Sequence, residues 1–200
     1  WYREKSRSNI IQPNDLKCWL LAVKELPNNK INNIRVNIAS TVSDYLIFIL
    51  LTGLRQSEAA GLLWRDVDFN NKMFTVRNTK NHTDHTLPLT DILTTLLNKR
   101  RLNSNSDFVF PGNNTLKALV NPYKQIKLVR EDSGIYFTMH DLRRTFATVA
   151  DGLDIQHHII KRLMNHANND VTIKHYVQPS IERLREPMKL INEYIMSNAQ

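Results

Sequence analysis

Thr138-Met139-His140-Asp141-Leu142-Arg143-Arg144-Thr145-Phe146, then Leu163-Met164-Asn165-His166, then His175-Tyr176: these three phrases decide how the chain is read. Together these phrases hold three imidazoles, two guanidinium groups and a phenol, in a stretch rich in helix signals. His140 and Arg143 are one turn apart at the start of a predicted helix, so they point from the same face. That end also offers free backbone N–H groups and the positive end of a helix dipole, which suits an anion. Plainer readings compete at each position. His140 can be a cap-region residue, Arg143 a surface charge, and Tyr176 a half-buried amphipathic packing residue.

A second basic island lies upstream. In Thr52-Gly53-Leu54-Arg55-Gln56-Ser57-Glu58 an arginine follows a helix-ending glycine. Backbone geometry then holds the guanidinium, whose planar fork matches phosphate oxygens. Glu58, one turn on, braces that fork from behind. The competing reading is an exposed Arg–Glu pair at i, i+3, worth little. Asn78-Thr79-Lys80-Asn81 occupies the turn between two predicted strands. A lysine there either protects a sheet edge or enters a groove, where its ammonium gives a proton to a leaving alkoxide. His82, Asp84 and His85 in the same loop raise a metal alternative. Three neighbours in one turn make no dedicated cage without ligands from elsewhere.

Twenty-seven Lys and Arg against nineteen Asp and Glu leave a net charge of +8 over 200 residues. An excess of this size attracts polyanions at long range, so nucleic acid heads the partner classes. The length fits one domain with a substantial core. The single cysteine, Cys18, excludes an intramolecular disulfide and any Cys-cluster metal site. Cys18 lies in the apolar run Leu16–Val23 and is expected to be a small buried hydrophobe. The longest apolar run, Tyr45–Leu51, is far below the roughly 20 residues that span a bilayer. No signal peptide is visible, and a reducing cytoplasm is the expected compartment. The first residue is Trp1 rather than Met, which leads us to expect a piece of a longer protein.

Taken in order, residues 1–12 read as a linker or tail, residues 13–179 as the main domain and residues 180–200 as a terminal helix. Periodicity and punctuation predict helices over Pro13–Leu26 and Arg35–Leu51, the second central to the core. Gly53 stops it, and a short helix follows with Ser57 as its cap. Strands are predicted at Trp64–Phe69, Met73–Val76 and His85–Leu89. Further helices are predicted at Thr90–Leu102, Thr115–Val129, Asp141–Gly152, Ile155–Leu163, Asp170–Val177 and Ile181–Ile195. The class is mainly α with a small antiparallel three-stranded sheet (α+β). Ile181, Leu184, Met188, Ile191 and Ile195 form an apolar stripe on the last helix, packed either in cis or on a neighbouring subunit.

Each local signal is weak alone, but their order is specific: Arg55, Lys80, His140-x-x-Arg143, His166, Tyr176. This succession resembles the catalytic set of the tyrosine recombinases, the phage integrase family. The phrases Thr-Gly-Leu-Arg-Gln-Ser-Glu, Thr79-Lys80 in a hairpin, His-Asp-Leu-Arg-Arg-Thr-Phe and Met-Asn-His resemble it too, over about Arg35–Val177. The resemblance implies the C-terminal catalytic domain and fold of a DNA breaking and rejoining enzyme. It implies Tyr176 as nucleophile forming a 3′-phosphotyrosyl link, His140 as general base and Lys80 as general acid. Arg55, Arg143 and His166 would bind the phosphate oxygens, with Glu58 in support and Arg144 a structural or DNA-backbone contact. Double-stranded DNA and other recombinase subunits in a tetramer are the implied partners, with no membrane, metal or cofactor. A bacterial cytoplasm or nucleoid and a phage or mobile element are the implied setting. Alternatives are a type IB topoisomerase, a non-catalytic DNA-binding module and a metal-dependent nuclease at His82, Asp84 and His85.

Overall fold

In the computed structural model the described residues are 9–28, 36–81, 83–166 and 180–199. The apolar run at 45–51 lies in the helix α2 (Val36–Thr52), buried on every side from Tyr45 to Thr52. A helix apolar all round belongs in a core. It packs against α1 (Leu16–Glu25) and against α6 (Met139–Gly152), α3 (Gln56–Ala60), α4 (Asp91–Arg101) and α8 (Ile181–Ser197). α5 (Tyr123–Ser133) lies on α1, and α7 (His157–Leu163) lies against α6 and α8. The sheet runs β1 (Val67–Asp68), β2 (Met73–Val76), β3 (His85–Pro88), all antiparallel, with Phe74 opposite Leu87 and Val76 opposite His85. The mainly α architecture with one small three-stranded sheet is thus as expected.

Several boundaries differ, each for a local reason. Trp64–Asp66 is a 3-10 turn, not strand, and pairing with β2 starts at Val67. The Trp64 N–H is instead bonded to the Asp107 carbonyl, beside a bridge between Leu63 and Phe108. Residues 115–122 are not helical. Pro111 bridges Ala118, Asn121 has φ 35°, and Pro122, lacking an N–H, stands just ahead of α5. α5 therefore starts late and runs to Ser133, where Gly134 closes it at φ 71°. α3 is capped from Arg55, not Ser57, because the Glu58 carboxylate accepts the Arg55 N–H at 3.0 Å. Cys18 is exposed, since Leu16, Trp19, Leu20 and Val23 take the inner face of α1. Ile11 is 1% exposed and its N–H donates to Thr145 Oγ1. Packed structure therefore starts before Pro13. The predicted helix at Asp170–Val177 lies outside the described residues.

The last helix packs on its own domain. Leu184, Met188, Ile191 and Ile195 are buried against β3, α6, α2 and α7, with Ile181 only partly so. Among the described residues no helix is long and apolar enough to cross a membrane.

Candidate active site

The site is assembled on the C-terminal turn of α7. Its last residues close in a Schellman arrangement: the Asn165 N–H bonds Arg162 O at 3.1 Å and the His166 N–H bonds Lys161 O at 2.9 Å. Asn165 takes the left-handed conformation, φ 51°, that this closure needs and that asparagine tolerates better than most residues. The carbonyls of residues 163, 164 and 165 then project from the helix end without helical partners among the described residues. Each is claimed by a different part of the fold. His85 Nε2 meets Leu163 O at 3.0 Å, Arg143 Nη2 donates to Met164 O at 2.6 Å, and Asn81 Nδ2 donates to Asn165 O at 2.9 Å. Arg55 Nη2 reaches the same Asn165 oxygen at 3.5 Å. Cationic donors at a helix C-terminus also meet the favourable end of its dipole.

Arg143 comes from the second turn of α6. A capping box starts that helix: Thr138 Oγ1 accepts the Asp141 N–H and the Asp141 carboxylate accepts the Thr138 N–H. Arg143 is 4% exposed, and its other terminal nitrogen donates to the Gly53 carbonyl. Gly53 has φ 64°, and a Cβ there would stand 2.5 Å from the Phe146 ring, so only glycine brings this carbonyl to Arg143. Two residues on, Arg55 is held from both sides by Glu58, through its N–H and through Nη1 at 2.7 Å. Glu58 is buried while the Arg55 side chain keeps 26% of its surface. This is the brace expected from the sequence, and it is not a solvated surface pair.

Two guanidinium groups lie close to one carboxylate, so positive charge is left over. Burial, then the neighbouring Arg55 charge, pushes the Arg143 guanidinium down to about 10. It remains charged at neutral pH. His166 leaves the same turn with its imidazole below the ordinary value, through burial first and then the charges of Arg143, Arg55, Lys161 and His157. The groups that expel a proton from His166 also attract an anion to it.

Lys80 is exposed in the β2–β3 turn, and both of its neighbours are tied to Asn165. His140 is exposed in the first turn of α6, on the helix that supplies Arg143. Arg144 makes an ion pair with Asp141 at 3.6 Å, with its side chain 36% exposed. Tyr176 and His175 lie outside the described residues. The structure thus brings Arg55, Arg143, His166 and the Lys80 turn to one place, with His140 on a shared helix.

Two of the three residues of the metal alternative are engaged elsewhere. Asp84 accepts from Arg77 Nη1 at 2.7 Å and from the Asn78 N–H, while His85 is 1% exposed and committed to Leu163 O. His82 lies outside the described residues, and among those described no His, Cys, Asp and Glu group has metal-binding geometry. His85, Asn81 and Asn165 are the site-building residues that sequence reasoning missed. An asparagine just after a predicted helix end was a readable left-handed signal, whereas the partners of His85 and Asn81 are distant in sequence.

A sequence profile described as the phage integrase family matches residues 23–183. The chain is 30% identical over 199 residues to the prophage integrase IntF of Escherichia coli (strain K12), covering 96% of this chain and 40% of that protein. It is 32% identical over 161 residues to the tyrosine recombinase XerA of Pyrococcus furiosus, covering 76% of this chain and 55% of the relative. The chain thus spans roughly half the length of the curated relatives it matches. In structure it resembles the integrase from mycobacterium phage Brujita, with a TM-score of 0.70, 17% identity and coverage of 100% of this chain and 66% of that one.

Proposed function

The chain belongs to the phage integrase family, and from that premise we propose that it is the catalytic domain of a site-specific DNA recombinase. The observation that carries this reading is the convergence of Arg55, Arg143, His166 and the Lys80 turn on one helix end. A phosphodiester is the anion that matches two guanidinium forks beside a neutral imidazole. Relatives named as integrases and tyrosine recombinases support DNA as the substrate.

In the proposed reaction the Tyr176 oxygen attacks a phosphodiester. A P–O bond forms to the phenol and the bond to the 5′-oxygen breaks, leaving a 3′-phosphotyrosyl link and a 5′-hydroxyl. The phenol has a reference pKa of about 10, so its proton needs an acceptor, for which His140 is assigned. Lys80 delivers the proton that the 5′-oxygen takes up. Arg55 and Arg143 hold the non-bridging oxygens as charge builds, and His166 adds a further donor. Loss of one such preorganised donor typically costs about 10²–10³ in rate. The covalent intermediate conserves the phosphoester bond, so the 5′-hydroxyl of another strand can reverse the step and complete exchange. Strand exchange on paired sites calls for further subunits on the DNA, and a tetramer is the assembly we assign.

The test is a nicked suicide DNA substrate with the full-length protein. Wild type should trap a covalent adduct, and Tyr176→Phe should bind the same DNA with no adduct formed. A wild-type adduct yield from Tyr176→Phe would remove residue 176 as the nucleophile.

A further inference from the structure

We propose that Asn165 is a positioning residue that holds the Lys80 turn against the arginine pair before any DNA arrives. The inference rests on the reading of Lys80 as general acid. It adds a connection carried by the side chain and the carbonyl of one residue outside the proposed catalytic set, the side chain holding Thr79.

Asn165 Nδ2 donates to Thr79 Oγ1 at 2.9 Å. Thr79 is 3% exposed, and its hydroxyl proton is given to the Thr83 carbonyl at 2.8 Å. Its oxygen is therefore left as an acceptor, which fixes the direction of the Asn165 bond. On the far side of Lys80, Asn81 Nδ2 donates to Asn165 O at 2.9 Å and lies 3.4 Å from Asn165 Oδ1. Both residues flanking Lys80 are thus held by a single asparagine. That asparagine's carbonyl also accepts from Arg55, and the carbonyl before it accepts from Arg143.

The turn needs such a clasp. Lys80 itself is exposed, Asn78 sits at φ 46°, and apart from the two Thr79–Thr83 bonds the base of the turn is closed by exposed Arg77–Asp84 and Asn78–Asp84 bonds. Solvent-exposed pairs of this kind add little rigidity. The Asn165 bonds to Thr79 and Asn81 are partly buried and join residues 84 or more positions apart. They convert a local hairpin tip into part of the site, and a general acid misplaced by about 1 Å can cost about 10² in rate.

Glycine at position 165 keeps the left-handed turn and its carbonyl, and removes only the side-chain bonds. The experiment compares wild type, Asn165→Gly and Lys80→Ala, each as the full-length protein, on two nicked substrates. One carries the ordinary 5′-oxygen at the scissile phosphate and the other a bridging sulfur. A thiolate departs without a proton, because a thiol with a pKa of about 8.5 is far more acidic than an alcohol. Asn165→Gly should form adduct about 10–10² times more slowly on the oxygen substrate and at the wild-type rate on the sulfur substrate. Hydrogen exchange should quicken at the amides flanking Lys80 in the same variant without DNA. Equal slowing on both substrates, or no slowing with unchanged exchange, would overturn the role of Asn165. If Lys80→Ala slows both substrates equally, the general-acid reading itself falls and this inference falls with it. A split seen for Lys80→Ala but absent in Asn165→Gly rejects Asn165 alone.

Discussion

His85 shows what one side chain contributes to the site without touching substrate. Its ring is buried on β3, and the carbonyl of Leu163 can only accept, so the proton sits on Nε2. Burial pushes the imidazole down to about 4; the Leu163 bond and Glu58 oppose that shift, while Arg162 and Arg143 reinforce it. The sign follows from linkage. The unfolded chain takes up the proton first, near its reference value of about 6.5, so stability is complete above that pH. It is lost as pH falls toward about 4, by up to roughly 3 kcal/mol. Thermal melts from pH 7 to pH 4 should therefore fall less steeply for His85→Gln than for wild type. Parallel curves would show that this histidine is not held neutral. The sequence showed His85 only as a strand residue or a metal ligand, because its acceptor is 78 positions away. Gly53 was legible as a helix stop, but the Phe146 ring that excludes any side chain there was not.

Among the elements, the last helix is joined to the site by a buried amide. Asn192 is 0% exposed, accepts from Thr90 Oγ1 at 2.7 Å and donates to Leu51 O at 2.7 Å. Leu51 is in the final turn of α2, just before Gly53 and Arg55, where helix carbonyls lack helical partners. Thr90 is the N-cap of α4, its hydroxyl also accepting the Leu93 N–H. One residue of α8 therefore seats two other helix ends. Asn192→Ala should cost roughly 2–5 kcal/mol in urea unfolding, since both partners stay buried and lose their bond. A loss below about 1 kcal/mol would mean that water replaces the amide. The apolar stripe of α8 was readable from its period, while the asparagine on its buried side looked like any polar residue. The first turn of α6 is the converse case. Its Thr138-x-x-Asp141 box is local, so sequence alone carries enough to place the start of the helix that bears His140 and Arg143.

For the whole molecule, a net charge of +8 and a cluster of cationic side chains predict binding dominated by phosphate contacts. The logarithm of affinity for duplex DNA should fall linearly with the logarithm of salt, by about 0.9 for each phosphate contacted. Arg55→Ala should make that slope shallower by about one. A salt-independent affinity would contradict a phosphate-centred interface. Elements defined over a few consecutive residues could be read directly: the apolar α2, most of the other helices, the presence of three short strands, and the order of Arg55, Lys80, His140, Arg143, His166 and Tyr176. Their physics is local, set by period, caps and turn residues. The sequence could not reveal that three successive carbonyls at the end of α7 are the surface on which β3, α6, the turn after α2 and the Lys80 loop all meet. Backbone carbonyls carry no residue identity, and their partners lie 21 to 110 positions away. Chain folding alone decides which donor reaches which oxygen.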